Sequence, residues 1–83
     1  MIDPPLAEGF VRPGLWAVVY AADEGAVDVL VFRAKTSRGR VDLGACVFAG
    51  RVRGETWCST IGELPLRERA AVAAWVRTSR PAT

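Results

Sequence analysis

Between residues 15 and 61, runs rich in valine and aromatic residues alternate with three X-Gly pairs, Glu24-Gly25, Arg38-Gly39 and Arg53-Gly54. Glycine accepts the positive φ that tight hairpin turns demand, and β-branched and aromatic side chains suit a pleated surface. The spacing predicts strands over about 15–22, 27–36, 41–52 and 55–61. Consecutive hairpins of this kind make a four-stranded antiparallel β-meander, open or curled toward a small barrel. A C-terminal α-helix is predicted over about 65–79: Pro65 suits the first helical turn, the segment is alanine-rich, and Pro81 marks its end. The expected fold class is α+β, with a β-β-β-β-α domain over 15–83.

Residues 1–14, MIDPPLAEGFVRPG, hold three prolines and two glycines. These disfavour a regular helix or a central strand. Ile2, Leu6, Phe10 and Val11 are nevertheless apolar, and the segment reads as an ordered arm laid against the domain.

Two-residue turns would fix the register and sort the side chains between faces. One face then carries Trp16, Val18, Tyr20, Val27, Val29, Val31, Cys46, Phe48, Val52, Trp57 and Ile61. The other carries Leu15, Ala17, Val19, Ala21, Leu30, Phe32, Ala34, Val41, Leu43, Ala45, Val47, Ala49 and Cys58. A helix seats best against small side chains, so the alanine-rich face is expected to receive it, through a stripe of Leu66, Ala70, Ala73 and Val76 with Val72 beside it. That leaves an aromatic face that a monomer would rarely offer to water, and Trp16, Val18, Tyr20, Phe48 and Trp57 become the candidate protein interface. The stretch 15–22 is a second candidate, because an uncharged, proline-free edge strand leaves its backbone unprotected. The expected partner is a second copy or another protein.

Composition narrows the chemistry. The 83 residues are 51% hydrophobic and 24% charged, with no histidine, which removes ordinary zinc sites and histidine-based catalysis. No metal, cofactor or catalytic residue is expected. Cys58-Ser59-Thr60 places three nucleophile types in a row without an evident base. Cys46 and Cys58 are expected as free thiols on opposite faces. No stretch approaches the ~20 apolar residues of a membrane helix, and no secretory leader is evident, so the expected location is the cytoplasm.

Between residues 33 and 53, six basic residues face one acid, Asp42. The two-residue-turn register gathers Arg33, Lys35, Arg38 and Arg40 at one end of the sheet, with Arg33 opposite Trp16. A ring beside guanidinium groups suits stacked bases and phosphates, so Trp16, Arg33, Lys35, Arg38 and Arg40 form a candidate nucleic-acid contact. The first expectation is a small non-enzymatic protein-interaction module of the adaptor, regulator or inhibitor type, homodimeric. Nucleic-acid binding is the alternative.

Overall fold

The computed structural model describes residues 4–79; Ile2 of the arm and the terminating Pro81 lie outside them. Strands β1 (Ala7–Arg12), β2 (Leu15–Ala21), β3 (Val27–Ser37), β4 (Arg40–Arg53) and β5 (Thr56–Ile61) precede helix α1 (Leu66–Ser79). The sheet is antiparallel, ordered β1-β2-β3-β4-β5, and open. The class is α+β, with five strands where the turn spacing predicted four.

The additional strand comes from the arm. Its prolines stand at positions 4, 5 and 13, clear of residues 7–12, and an edge strand needs a ladder on one side only. Pairing runs from Ala7 opposite Val19 to Phe10 opposite Trp16, and the Leu6 N–H adds a bond to the Val19 carbonyl at 2.7 Å. β2 is therefore internal. The unprotected edge expected over 15–22 does not exist, because β1 occupies it.

The β2–β3 register also differs from expectation. Leu15, not Trp16, stands opposite Arg33, and Ala21 stands opposite Val27. The connection takes residues 22–26 instead of a two-residue turn: the chain reverses through Asp23–Gly25, Glu24 adopts a left-handed φ of 55°, and the Ala22 N–H closes the loop onto the Ala26 carbonyl at 3.0 Å. A one-residue slip exchanges the faces of everything beyond it. Val27, Val29 and Val31 accordingly join Leu15, Ala17 and Val19 on the helix side, while Leu30 and Phe32 come round to the side of Trp16. The last turn is Gly54-Glu55, and Arg53 stays in the strand opposite Thr56. Moving the turn by one residue shifts the register by two, so Val52 and Trp57 still share a face, as expected, and now stand opposite one another.

The core lies between sheet and helix. It joins Leu15, Ala17, Val19, Val27, Val29, Val31, Phe48 and Val52 to Val72 and Val76, with Val11, Val47, Trp57, Leu64 and Trp75 packed around them. Trp75 lies over Gly9 of β1, where an added Cβ would stand 3.7 Å from its ring. The helix face toward the sheet is the series Glu68, Val72, Val76, spaced by four residues. Leu66, from the predicted stripe, is instead 82% exposed. Glu68 is accommodated on the inner face because Arg33 meets it from β3, with guanidinium-to-carboxylate distances of 2.7 and 3.1 Å.

Candidate functional site

The register arranges the face away from α1 in rows. Glu8, Val18, Leu30, Ala49 and Ile61 cross all five strands. Phe10, Trp16, Phe32 and Cys46 form the next row, and Tyr20, Asp28, Arg51 and Cys58 the one on the other side. Ala34 with Leu43, and Thr36 with Val41, continue outward along the β3–β4 hairpin. Phe10 and Trp16 meet edge to face, with centroids 5.1 Å apart at 87°, a geometry the ring quadrupoles favour.

Among the described residues, no element packs on this face. Phe10 is 37% exposed, Val41 40%, Leu43 49% and Ile61 54%, while Trp16, Tyr20, Leu30 and Phe32 are half-buried by their neighbours. The charge within the rows is Glu8 and an internally satisfied pair: the Arg51 guanidinium donates to both carboxylate oxygens of Asp28, at 2.9 and 3.3 Å. At the adjoining corner Arg53 bonds Glu24 at 3.0 Å.

Of the predicted interface, Trp16, Val18 and Tyr20 share this open face. Phe48 and Trp57 do not. Phe48 is 6% exposed in the core, its ring occupying the space that Gly50 leaves free. Trp57 is half-buried beside α1, with the Arg69 guanidinium 5.9 Å from its ring centre. The register slip is the reason, since it turns the β3 valines and the β4 and β5 aromatics paired with them toward the helix. Phe10, Leu30 and Phe32 were missed. Phe10 belonged to a segment read as an arm, and the other two lay on the wrong side of the slip.

The predicted nucleic-acid constellation is divided between the faces. Arg33 turns to the helix side, and its bond to Glu68 holds that carboxyl below the usual carboxylate range. Trp16 remains on the open face with Phe10. Lys35, Arg38 and Arg40 sit on the exposed hairpin, and among the described residues none of them has an ion-pair partner.

Both cysteines are free thiols, but they share the open face instead of lying on opposite ones. The cause is a register shift between Val31 and Phe32, which leaves Val47 as the extra residue and pairs Cys46 with Phe32. Among the described residues no group of three or more His, Cys, Asp or Glu could hold a metal. The Ser59 hydroxyl donates to the Gly62 carbonyl at 2.5 Å and the Thr60 hydroxyl to the Ala49 carbonyl at 3.0 Å. Both hydroxyls are thus engaged by backbone. Two cavities of about 240 Å³ flank Trp57 between β5 and α1, one reaching Ser59 and Glu63 and the other Glu55 and Arg77. Each is about the size of a large side chain. No helix among the described residues is long and apolar enough to cross a membrane.

Compared with protein-family models, with curated proteins and with solved structures, the chain gives no match.

Proposed function

We propose that the chain is a self-associating protein-interaction module, of the adaptor, regulator or inhibitor type, that works through the open face of its sheet and performs no chemistry itself. One observation carries this reading: two adjacent rows, Phe10-Trp16-Phe32-Cys46 and Val18-Leu30-Ala49-Ile61, lie on the side that α1 leaves uncovered, with Phe10 and Ile61 exposed, Trp16, Leu30, Phe32 and Cys46 half-buried, and Val18 and Ala49 closed in between them. Surfaces of that kind mark association sites, and burying them is favourable at about 25 cal/mol per Å². Asp28 and Arg51 can be covered because they satisfy one another, and Glu8 stands on edge strand β1, at the rim of the face.

The test is the solution mass by sedimentation equilibrium. Wild-type protein is expected above the 8.9 kDa of one chain at micromolar concentration. Phe10→Asp combined with Ile61→Asp, two exposed positions at opposite edges of the face, should give the monomer mass with unchanged circular dichroism. A wild-type mass of one chain at every concentration would remove the reading.

A second reading rests on the β3–β4 hairpin. A two-stranded ribbon on which Lys35, Arg38 and Arg40 have no ion-pair partner among the described residues has the dimensions of elements that enter a DNA major groove. Titration with single- and double-stranded oligonucleotides at low salt tests it, and the absence of binding would exclude it.

A further inference from the structure

Opposite charges collect at opposite ends of the sheet along the strand direction. At one end the β2–β3 and β4–β5 connections bring together Asp23, Glu24 and Glu55, with Asp28 just inside. Arg51 and Arg53 bond Asp28 and Glu24, and Arg77 of α1 lines the same cavity as Glu55 on the helix side; Asp23 and Glu55 have no ion pair among the described residues, and the end keeps a small acidic excess. At the other end, β2 stops opposite Arg33 and β5 stops opposite Ala49, so the β3–β4 hairpin runs on without flanking strands. Residues 35–45 of that ribbon are exposed, with Lys35, Arg38 and Arg40 set against Asp42. The molecule is acidic at its β2–β3 turn and basic at its ribbon, and the apolar patch lies between.

This asymmetry selects among the ways two open faces can meet. A two-fold axis along the strands would stack acidic end on acidic end and ribbon on ribbon. A two-fold axis across the strands reverses their direction and brings each ribbon over the other copy's acidic turns, twice by symmetry. Area requires the ribbons to take part in the contact, and charge decides what they meet. Five strands about 4.8 Å apart, six or seven residues long at about 3.3 Å each, offer roughly 500 Å² per copy. Two such faces bury roughly 1,000 Å², short of the ~1,200 Å² at which specific interfaces begin. The ribbon face of Ala34, Thr36, Val41 and Leu43 adds on the order of 100 Å² per copy from the same strand dimensions, bringing the total to that threshold.

Building on the interaction reading, we infer that the partner is a second copy of this chain, docked face to face with strand directions reversed. Each β3–β4 ribbon is then an arm that grips the acidic turn end of the other copy. Arg38 and Arg40 of one protomer lie against the Asp23 and Glu55 region of its partner, and Phe10, Trp16, Leu30 and Phe32 fill the centre.

Three exposed-site variants, compared by sedimentation in low and high salt, test the arrangement. The wild-type dimer should weaken as salt screens the end contacts. Arg38→Glu with Arg40→Glu should raise the dimer Kd about tenfold at low salt, because both ends are then acidic. Adding Asp23→Arg and Glu55→Arg to the same chain should restore the wild-type Kd, since ribbon and turns have exchanged sign. Stacking of like ends predicts no such rescue. A dimer broken by Phe10→Asp yet indifferent to both charge exchanges and to salt would overturn the reversed arrangement and leave the interaction reading standing. A monomer at all concentrations would overturn both. Oligonucleotide binding lost in Arg38→Glu/Arg40→Glu, with the dimer Kd unchanged, would assign the ribbon to nucleic acid and overturn the inference.

Discussion

Gly39 and Gly62 adopt similar left-handed φ angles, 76° and 67°, in different surroundings. An added Cβ at Gly39 would meet nothing within 4 Å, whereas at Gly62 it would strike the Val47 carbonyl oxygen. Gly39→Ala should therefore cost only the left-handed penalty, about 1 kcal/mol. Gly62→Ala should cost about 3 kcal/mol, because backbone must move as well. Urea denaturation of the two variants checks the contrast, and equal losses would refute it. The Arg33–Glu68 pair makes a second prediction at this scale. Its guanidinium lowers the Glu68 pKa in the folded state, so the pair's stabilisation is fully present above the ordinary glutamate value. It is lost as pH falls through the lowered folded value. The melting temperature should drop across that acidic window, and Glu68→Gln should flatten that part of the profile.

At the scale of elements, the helix rotation can be tested directly. Val72 is fully buried and Leu66 is 82% exposed, so Val72→Ala should cost about 2 kcal/mol and Leu66→Ala less than about 0.5 kcal/mol. The reverse order would mean that the stripe read from the sequence is the buried one. Hairpin succession and helix position were legible because glycine turns and proline boundaries are local chemistry. Register was not, and the residues show why. Val27, Val29 and Val31 alternate with Leu30 and Phe32, so either parity presents an apolar face and pattern alone cannot choose between them. The choice was made by the Asp23–Gly25 turn, where a non-glycine residue, Glu24, takes the positive φ. The same ambiguity divided the candidate interface, keeping Trp16, Val18 and Tyr20 together and sending Phe48 and Trp57 to the helix side. β1 was hidden by its prolines, which flank the strand without interrupting it. Deleting residues 1–13 should bare the backbone edge of β2 and remove the seat of Trp75 over Gly9. A lower melting temperature with increased light scattering is the expected result.

For the whole molecule, the shared face of the two thiols offers a check independent of mass. Cys46 lies in the aromatic row and Cys58 one row beyond the centre, so a face-to-face dimer covers both. Their reaction with a thiol reagent should slow as protein concentration rises through the dimer Kd; a constant rate would place the contact elsewhere. The strictly sequential strand order bears on how the chain reaches this state. Every ladder joins neighbours in sequence and no crossover must be threaded, so loop-closure entropy stays small at each step. The β3–β4 hairpin has the longest ladder and one of the shortest connections, which makes it the natural nucleus. Folding should then be fast for an all-antiparallel sheet and single-exponential. Substitutions near Arg38-Gly39 should slow folding, while those in α1, the last element along the chain, should mainly speed unfolding.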